Sequence, residues 1–121
     1  MITYKLDDSD ILHIKLTGNI DFNEVTGFLK KLKSFDNLPQ DIKLLCDLTE
    51  AEVNLTANEI HQISGLAENA TRKYSAVKTA LLVNQPLMTA YSVLFTKFKS
   101  SGRTNREVFS TLDAAKDWLI E

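Results

Sequence analysis

Apolar residues recur along this chain with two spacings, one typical of strands and the other of helices. Residues 11–17 alternate, with Leu12, Ile14 and Leu16 on one side, which predicts a strand with one buried face. Runs that are apolar almost throughout predict strands buried on both faces. The strands predicted in this way cover residues 2–6, 11–17, 42–46, 76–83 and 106–109.

Stripes of apolar residues three and four positions apart predict four helices that alternate with these strands. Asp21 precedes the first helix and Thr56 the second, and each is followed three positions later by a glutamate, as in a capping box. Pro86 suits the first position of the third helix, where no backbone N–H is needed. Ser110 or Thr111 caps the fourth helix. Its expected buried residues are Leu112, Ala115, Trp118 and Leu119.

The resulting order, ββαβαβαβα, predicts one α/β domain over residues 1–121 with a mixed, mostly parallel five-stranded sheet flanked by four helices. In such sheets the functional crevice lies outside the carboxyl ends of the parallel strands. The strand at residues 42–46 is expected to end at Asp47, and a polar loop to follow it. The crevice residues predicted for a ligand or a partner are Asp21, Asp47, Thr49, Asn54, Thr56, Ala57, Asn84 and Pro86.

The third predicted helix, LMTAYSVLFTKFK at residues 87–99, carries apolar residues on more than one face. A helix of this kind is buried deeply, meets a partner or lies on a membrane. Met88, Ala90 and Val93 fall off the stripe that is expected to pack on the sheet. That stripe consists of Leu87, Tyr91, Leu94, Phe95 and Phe98.

Several roles for this helix stay open at the level of the sequence: a core helix with a basic end, a homodimer contact, a lid over an apolar ligand, or peripheral membrane contact. Membrane contact is suggested by the basic residues Lys97, Lys99, Arg103 and Arg106, which would favour anionic headgroups. The helix is expected to end at residues 100–102, where two serines precede Gly102.

Composition narrows the function classes. Fourteen Lys and Arg against sixteen Asp and Glu give a net charge of −2, so no overall field attracts nucleic acid. The single cysteine cannot form an internal disulfide, and no apolar run approaches the roughly 20 residues of a membrane span. Nothing at the N-terminus resembles a signal peptide, so we expect a cytoplasmic protein.

Residues with catalytic chemistry are present but are not arranged for it. The carboxylates of Asp21, Asp47 and Glu50 have no His, Cys or Ser placed beside them by spacing. No metal-ligand spacing links His13 to Cys46, and no glycine-rich phosphate loop is present, so neither a metal nor another cofactor is expected. Cys46 lies in an apolar run and is interpreted as an inert, packed thiol. A non-enzymatic protein is therefore expected, with a hydrolase as the minor alternative.

Three motifs resemble the STAS domain, which is typified by bacterial anti-sigma-factor antagonists: ILHIKLTGNID, LLCDL and VNQP. The closing VFSTLDAAKDWL is similar to the SpoIIAA-like family of stand-alone bacterial proteins, which are related in fold to Sec14/CRAL-TRIO lipid carriers. The resemblance covers nearly the whole chain. It implies a mixed sheet with helices packed on it and no established catalysis.

The STAS resemblance also implies a phosphorylated serine at the start of the second helix. Counted from Asp47, that acceptor falls on Ala57, which has no hydroxyl, and the hydroxyl of Thr56 is used as a helix cap. A phosphorylation switch is therefore not expected here.

Two functions follow as hypotheses. The first is an interaction module that binds a protein partner through the helices that start at Thr56 and Pro86. The second is a Sec14-like binder of a small apolar ligand or lipid, with peripheral membrane contact.

Overall fold

The computed structural model describes residues 1–98 and 102–121. Within these residues the elements follow the predicted order ββαβαβαβα. They are β1 (Ile2–Leu6), β2 (Ile11–Ile20), α1 (Phe22–Ser34), β3 (Asp41–Val53), α2 (Ala57–Ala70), β4 (Ala76–Leu82), α3 (Pro86–Lys97), β5 (Thr104–Phe109) and α4 (Leu112–Ile120). The predicted continuation of the third helix to Lys99, and its end at Ser100 and Ser101, lie outside the described residues.

The sheet holds its strands in the order of the chain, β1-β2-β3-β4-β5. β1 is antiparallel to β2 and every later pair is parallel, which confirms the predicted mixed, mostly parallel sheet. Right-handed crossovers that always move to the next strand place their helices on the same face, so α1, α2 and α3 pack side by side. α4 packs on β3, β4 and β5 from the opposite face.

Adjacent residues of one strand therefore enter different cores, because successive side chains point to opposite faces. Leu44 belongs to the larger core under α1, α2 and α3, whereas its neighbour Leu45 belongs to the smaller core with Ala115 and Leu119 of α4. Three helices over one face leave more interior volume to fill on that side than a single helix does on the other.

β3 is longer than the sequence predicts. It continues past Asp47 to Val53, where a polar loop is expected, and β2 continues beside it to Ile20. The register of this pair shifts after Lys15, and Asp47 stabilises the shift because its Oδ1 accepts hydrogen bonds from Thr49 N (2.9 Å) and Thr49 Oγ1 (2.6 Å). Pairing between β3 and β4 ends at Asp47, so the extension has one open side that suits its polar residues.

The predicted helix caps are confirmed. Asp21 accepts a hydrogen bond of 2.8 Å from the backbone N–H of Glu24 at the start of α1. Thr56 and Glu59 form a complete capping box on α2, and Thr111, rather than Ser110, caps α4.

Candidate functional site

An apolar cavity of about 170 Å³ lies between the sheet and the helices α1, α2 and α3. Its floor is formed by strand residues on the three-helix face, and its roof by residues of each of the three helices. The floor includes Ile14, Leu16, Leu44, Cys46, Thr79 and Leu81, and the roof includes Val25, Phe28, Ile60, Ala67, Met88 and Phe95.

Small side chains border this cavity at positions where larger ones would fill it. Cys46 and Thr79 stand on neighbouring strands, while Ala67 and Ser92 belong to α2 and α3. Protein interiors are close-packed, and voids larger than a water molecule are few. A cavity lined by apolar side chains and of about 150 Å³ is large enough to bind benzene. The cavity here is therefore of ligand size.

One end of the cavity is polar because Arg106 of β5 points to this face of the sheet. Its side chain is buried, with the residue 4% exposed, and it lines the cavity. Nη1 donates hydrogen bonds to Ser64 Oγ (2.7 Å) and to the carbonyl oxygen of Phe95 (2.9 Å). The guanidinium carbon also lies 4.0 Å from the centroid of the Phe95 ring, a cation–π arrangement.

The charge of Arg106 is compensated only at a distance. Glu68 Oε1 lies 3.8 Å from Arg106 Nη2, and Glu68 Oε2 lies 3.6 Å from Arg103 Nη2, so one carboxylate is shared between two guanidinium groups. Burial disfavours the charged form and lowers the pKa of Arg106, although Glu68 opposes that shift. Within the described residues Glu68 Oε1 accepts no hydrogen bond.

Ser92 of α3 lines the cavity and carries a buried hydroxyl group. The residue is 3% exposed and its Oγ has no hydrogen-bond partner among residues 1–98 and 102–121. A buried hydroxyl without a partner destabilises the fold by roughly 1–3 kcal/mol, so such a group calls for an explanation.

The thiol of Cys46 also lines the cavity. Burial raises its pKa to about 12, and the positive charge of Arg106 opposes this shift. Because the thiolate is the nucleophile, a thiol with so high a pKa is unreactive near neutral pH. Cys46 is half-buried, and the raised pKa agrees with its interpretation as an inert thiol.

The cavity extends to Leu48, Val53 and Leu55, beyond the last pair between β3 and β4. At this end β3 is no longer paired with β4, and a side chain connects α3 to the segment before α2. Tyr91 of α3 accepts a hydrogen bond of 3.5 Å from the backbone N–H of Leu55. This distance is at the limit for a hydrogen bond, so the contact between α3 and the segment before α2 is weak.

None of the predicted crevice residues lines the cavity. Asp21 and Thr56 act as helix caps, and Asp47 with Thr49 forms the strand irregularity. The others, Asn54, Ala57, Asn84 and Pro86, are exposed near the starts of α2 and α3. The strand order contains no reversal among β2–β5, so these residues do not frame a switch-point crevice, and their role in binding remains a prediction.

The orientation of α3 corrects part of the sequence interpretation. Met88 was expected off the packed stripe but is 3% exposed, while Leu87, expected on it, is 52% exposed. The line of α3 that faces the sheet at helical spacing is Met88, Ser92 and Phe95, with Tyr91 beside it; Met88 and Ser92 are buried, and Phe95 is half-buried. Val93 is 40% exposed, as its place off the stripe suggests, and Leu94 and Phe98 are half-buried.

Arg106 is the functional candidate that sequence reasoning misplaced. It was counted with a basic segment after α3, yet it is buried, and Arg103 is half-buried against the carbonyl oxygens of Thr71 and Tyr74. The alternation of Thr104, Arg106 and Val108 along β5 carried the signal that Arg106 shares the core face.

Other kinds of site find no support in the described parts of the chain. Residues 1–98 and 102–121 contain no group of three or more His, Cys, Asp or Glu that could hold a metal ion. No helix formed by these residues has the length and apolar character needed to cross a membrane.

The fold has a counterpart of known structure. The chain is similar to an uncharacterised protein of the DUF3478 family from Shewanella loihica PV-4, whose crystal structure is described as having a SpoIIAA-like fold. The TM-score is 0.61 at 20% sequence identity, over 98% of this chain and 92% of that one. No protein-family model matches this sequence, and no curated protein matches it significantly. The chain therefore has the SpoIIAA-like fold that its motifs suggest.

Proposed function

We propose that this protein is a non-enzymatic binding module that takes a small apolar molecule into the cavity under α1, α2 and α3. The observation that carries the proposal is the cavity itself, about 170 Å³ with an almost wholly apolar lining. Apolar surface gains roughly 25 cal/mol per Å² on removal from water, so an apolar molecule of matching size binds there favourably.

The volume limits the ligand. By comparison with the cavity of about 150 Å³ that takes benzene, a molecule of about six to eight non-hydrogen atoms fits. A two-chain phospholipid does not fit this volume, so the proposal is a small-molecule binder and not a carrier of whole membrane lipids. Peripheral membrane contact also loses support, because Arg106 is buried and Arg103 is half-buried.

The absence of catalysis is part of the proposal. Its support is chemical. The Cys46 thiol, with a pKa of about 12, is unreactive near neutral pH, and the side chains of Asp21 and Thr56 are used as helix caps. The lone cysteine also suits a reducing compartment, so we place the protein in the cytoplasm.

Benzene binding tests the proposal with a matched pair of variants. Ala67→Leu on α2 fills the cavity, whereas Ala90→Leu makes the same change at an exposed position of α3. Benzene should raise the melting temperature of the wild type and of Ala90→Leu, and should have little effect on Ala67→Leu. No benzene-induced shift in the wild type, or an equal shift in Ala67→Leu, would overturn the cavity as a binding site.

A protein partner is the second candidate function. The observation that favours it is the outer face of α3, where Leu87 is 52% and Val93 is 40% exposed, with Ala90 exposed between them. Exposed apolar patches of this kind often mark contact surfaces. Cross-linking of the purified protein in its source lysate, compared with a Val93→Asp variant, tests whether this face holds a partner.

A further inference from the structure

The two ends of the cavity differ in polarity, and this difference indicates which ends of a ligand are apolar and polar. Toward α1 its wall is formed by Val25, Phe28 and Leu29, which carry no polar side-chain atom. Toward β5 the wall contains Arg106 and Ser92. A molecule that matches both ends has an apolar tail and one polar head.

The charge at the polar end selects an anionic head. Arg106 is held by neutral acceptors, the Ser64 hydroxyl and the Phe95 carbonyl, while its nearest carboxylate, Glu68, stays 3.8 Å away and is shared with Arg103. A buried charge needs close compensation, and hydrogen bonds between guanidinium and carboxylate groups are among the strongest in proteins. An anion in the cavity would supply that compensation at shorter range.

Ser92 provides a second, independent donor. Ser92 lines the cavity, and its buried hydroxyl has no hydrogen-bond partner among the described residues. Ser92 precedes Phe95 by three positions, so it stands one helical turn from the residue whose carbonyl and ring hold Arg106. A carboxylate has two oxygens and accepts several hydrogen bonds, so it is able to receive one from each donor.

We propose that the ligand is a short monocarboxylic acid whose carboxylate binds Arg106 and Ser92 and whose hydrocarbon tail extends toward α1. This inference rests on the proposed function, because it names the ligand class of the same cavity. Hexanoate is the matching probe, since it lies within the range of about six to eight non-hydrogen atoms set by the comparison with benzene. A cationic head would meet Arg106 as a like charge, and a neutral head would leave the guanidinium without a closer counter-charge.

A comparison of three probes with one tail tests the head group in the wild-type protein. Hexanoate, 1-hexanol and hexylamine are titrated against the ¹³C-labelled methyl group of Met88, which lines the cavity. Hexanoate should bind at least about tenfold more tightly than 1-hexanol, the ratio expected for charge-assisted hydrogen bonds, and hexylamine should bind most weakly. Equal or tighter binding of 1-hexanol overturns the carboxylate and leaves the apolar cavity intact. If none of the probes binds and benzene also fails, the cavity proposal fails with it.

Ser92→Ala then tests the predicted head contact without disturbing Arg106. The Ser92 Oγ has no partner to lose in the described structure, so the variant should fold. It should bind hexanoate about tenfold more weakly and 1-hexanol with little change relative to the wild type. Ser110→Ala, at an exposed position, is the matched control and should bind both like the wild type. Unchanged hexanoate affinity in Ser92→Ala would show that the carboxylate does not reach α3 and would overturn the proposed pose.

Discussion

Ser64 of α2 and Arg106 of β5 are joined by a buried hydrogen bond of 2.7 Å from Nη1 to Oγ. The same hydroxyl donates to the carbonyl oxygen of Phe98 at 3.1 Å, just after α3 ends. One serine thus connects a helix, an edge strand and the end of a second helix. It also fixes the position of the guanidinium at the cavity wall.

Replacement of Ser64 should therefore be costly. Ser64→Ala removes one of the two acceptors of Arg106 Nη1, a buried and charged donor, and we expect a loss of about 1–3 kcal/mol in the free energy of unfolding. Urea denaturation of Ser64→Ala and of the exposed control Ser110→Ala measures it. Equal stability of the two variants would contradict a structural role for the Ser64–Arg106 pair.

The sequence predicted the fold well because its signals are local. Caps such as Thr56 with Glu59 and the alternation of Leu12 and Ile14 fix where elements begin and which side is buried. The SpoIIAA-like fold itself was reached from motifs and was confirmed by comparison with a solved structure.

The cavity and its polar end were not predictable, since they depend on packing between distant elements. Because α3 has apolar residues on several faces, its sequence alone does not determine which face packs on the sheet. In the structure, the face that contains Met88 and the polar Ser92 packs there. A basic segment normally lies in water, and only the pairing of β5 beside β4 places Arg106 opposite Thr79 in the core. The extension of β3 was missed because a strand with one open side accepts polar residues.

The capping box of α2 yields a second prediction. Thr56 Oγ1 accepts from Glu59 N at 3.1 Å, and Glu59 Oε1 accepts from Thr56 N at 2.9 Å. Thr56→Ala should cost about 1 kcal/mol of stability, and Thr56→Ser should be nearly neutral, because serine keeps the hydroxyl. Thermal or urea unfolding compares the two. Stoichiometric phosphorylation of Thr56 in the folded protein by a kinase of the source cell would contradict a purely structural role.

The pKa of Cys46 gives a prediction about pH. Burial raises this pKa from its ordinary value of 9.0 to about 12, so at alkaline pH the folded protein keeps a proton that the unfolded chain releases. Stability should be unaffected by this group below pH 9.0 and should fall as the pH rises from 9.0 toward 12. Urea titrations across this range should show a shallower decline for Cys46→Ala.

The same thiol should resist modification in the native state. Because only the thiolate reacts, labelling of Cys46 by a thiol reagent at mildly alkaline pH should proceed at the rate of local or global opening. The labelling rate should rise in parallel with urea-induced unfolding. Rapid labelling without denaturant would show that the thiol is activated and would reopen an enzymatic function.

The last prediction concerns the two faces of α3. Substitution by aspartate should strongly destabilise the protein on the buried face and have little effect on the exposed face. Met88 is 3% exposed and lines the cavity, so Met88→Asp places an uncompensated charge in an apolar interior. We expect it to lose at least about 3 kcal/mol of stability or to fail to fold. Val93 is 40% exposed on the outer face, and Val93→Asp should stay within about 1 kcal/mol of the wild type.

Circular dichroism during urea denaturation measures both variants, and benzene binding separates their effects further. Val93→Asp should bind benzene like the wild type, because its side chain does not line the cavity. A folded Val93→Asp that also loses a cross-linked protein would identify the outer face of α3 as a contact surface independent of the cavity. Unfolding of Val93→Asp, or a stable Met88→Asp, would contradict the orientation of α3 that places Met88, Ser92 and Phe95 over the sheet. Either result would mean that α3 is rotated about its axis, because such a rotation exchanges its buried and exposed faces.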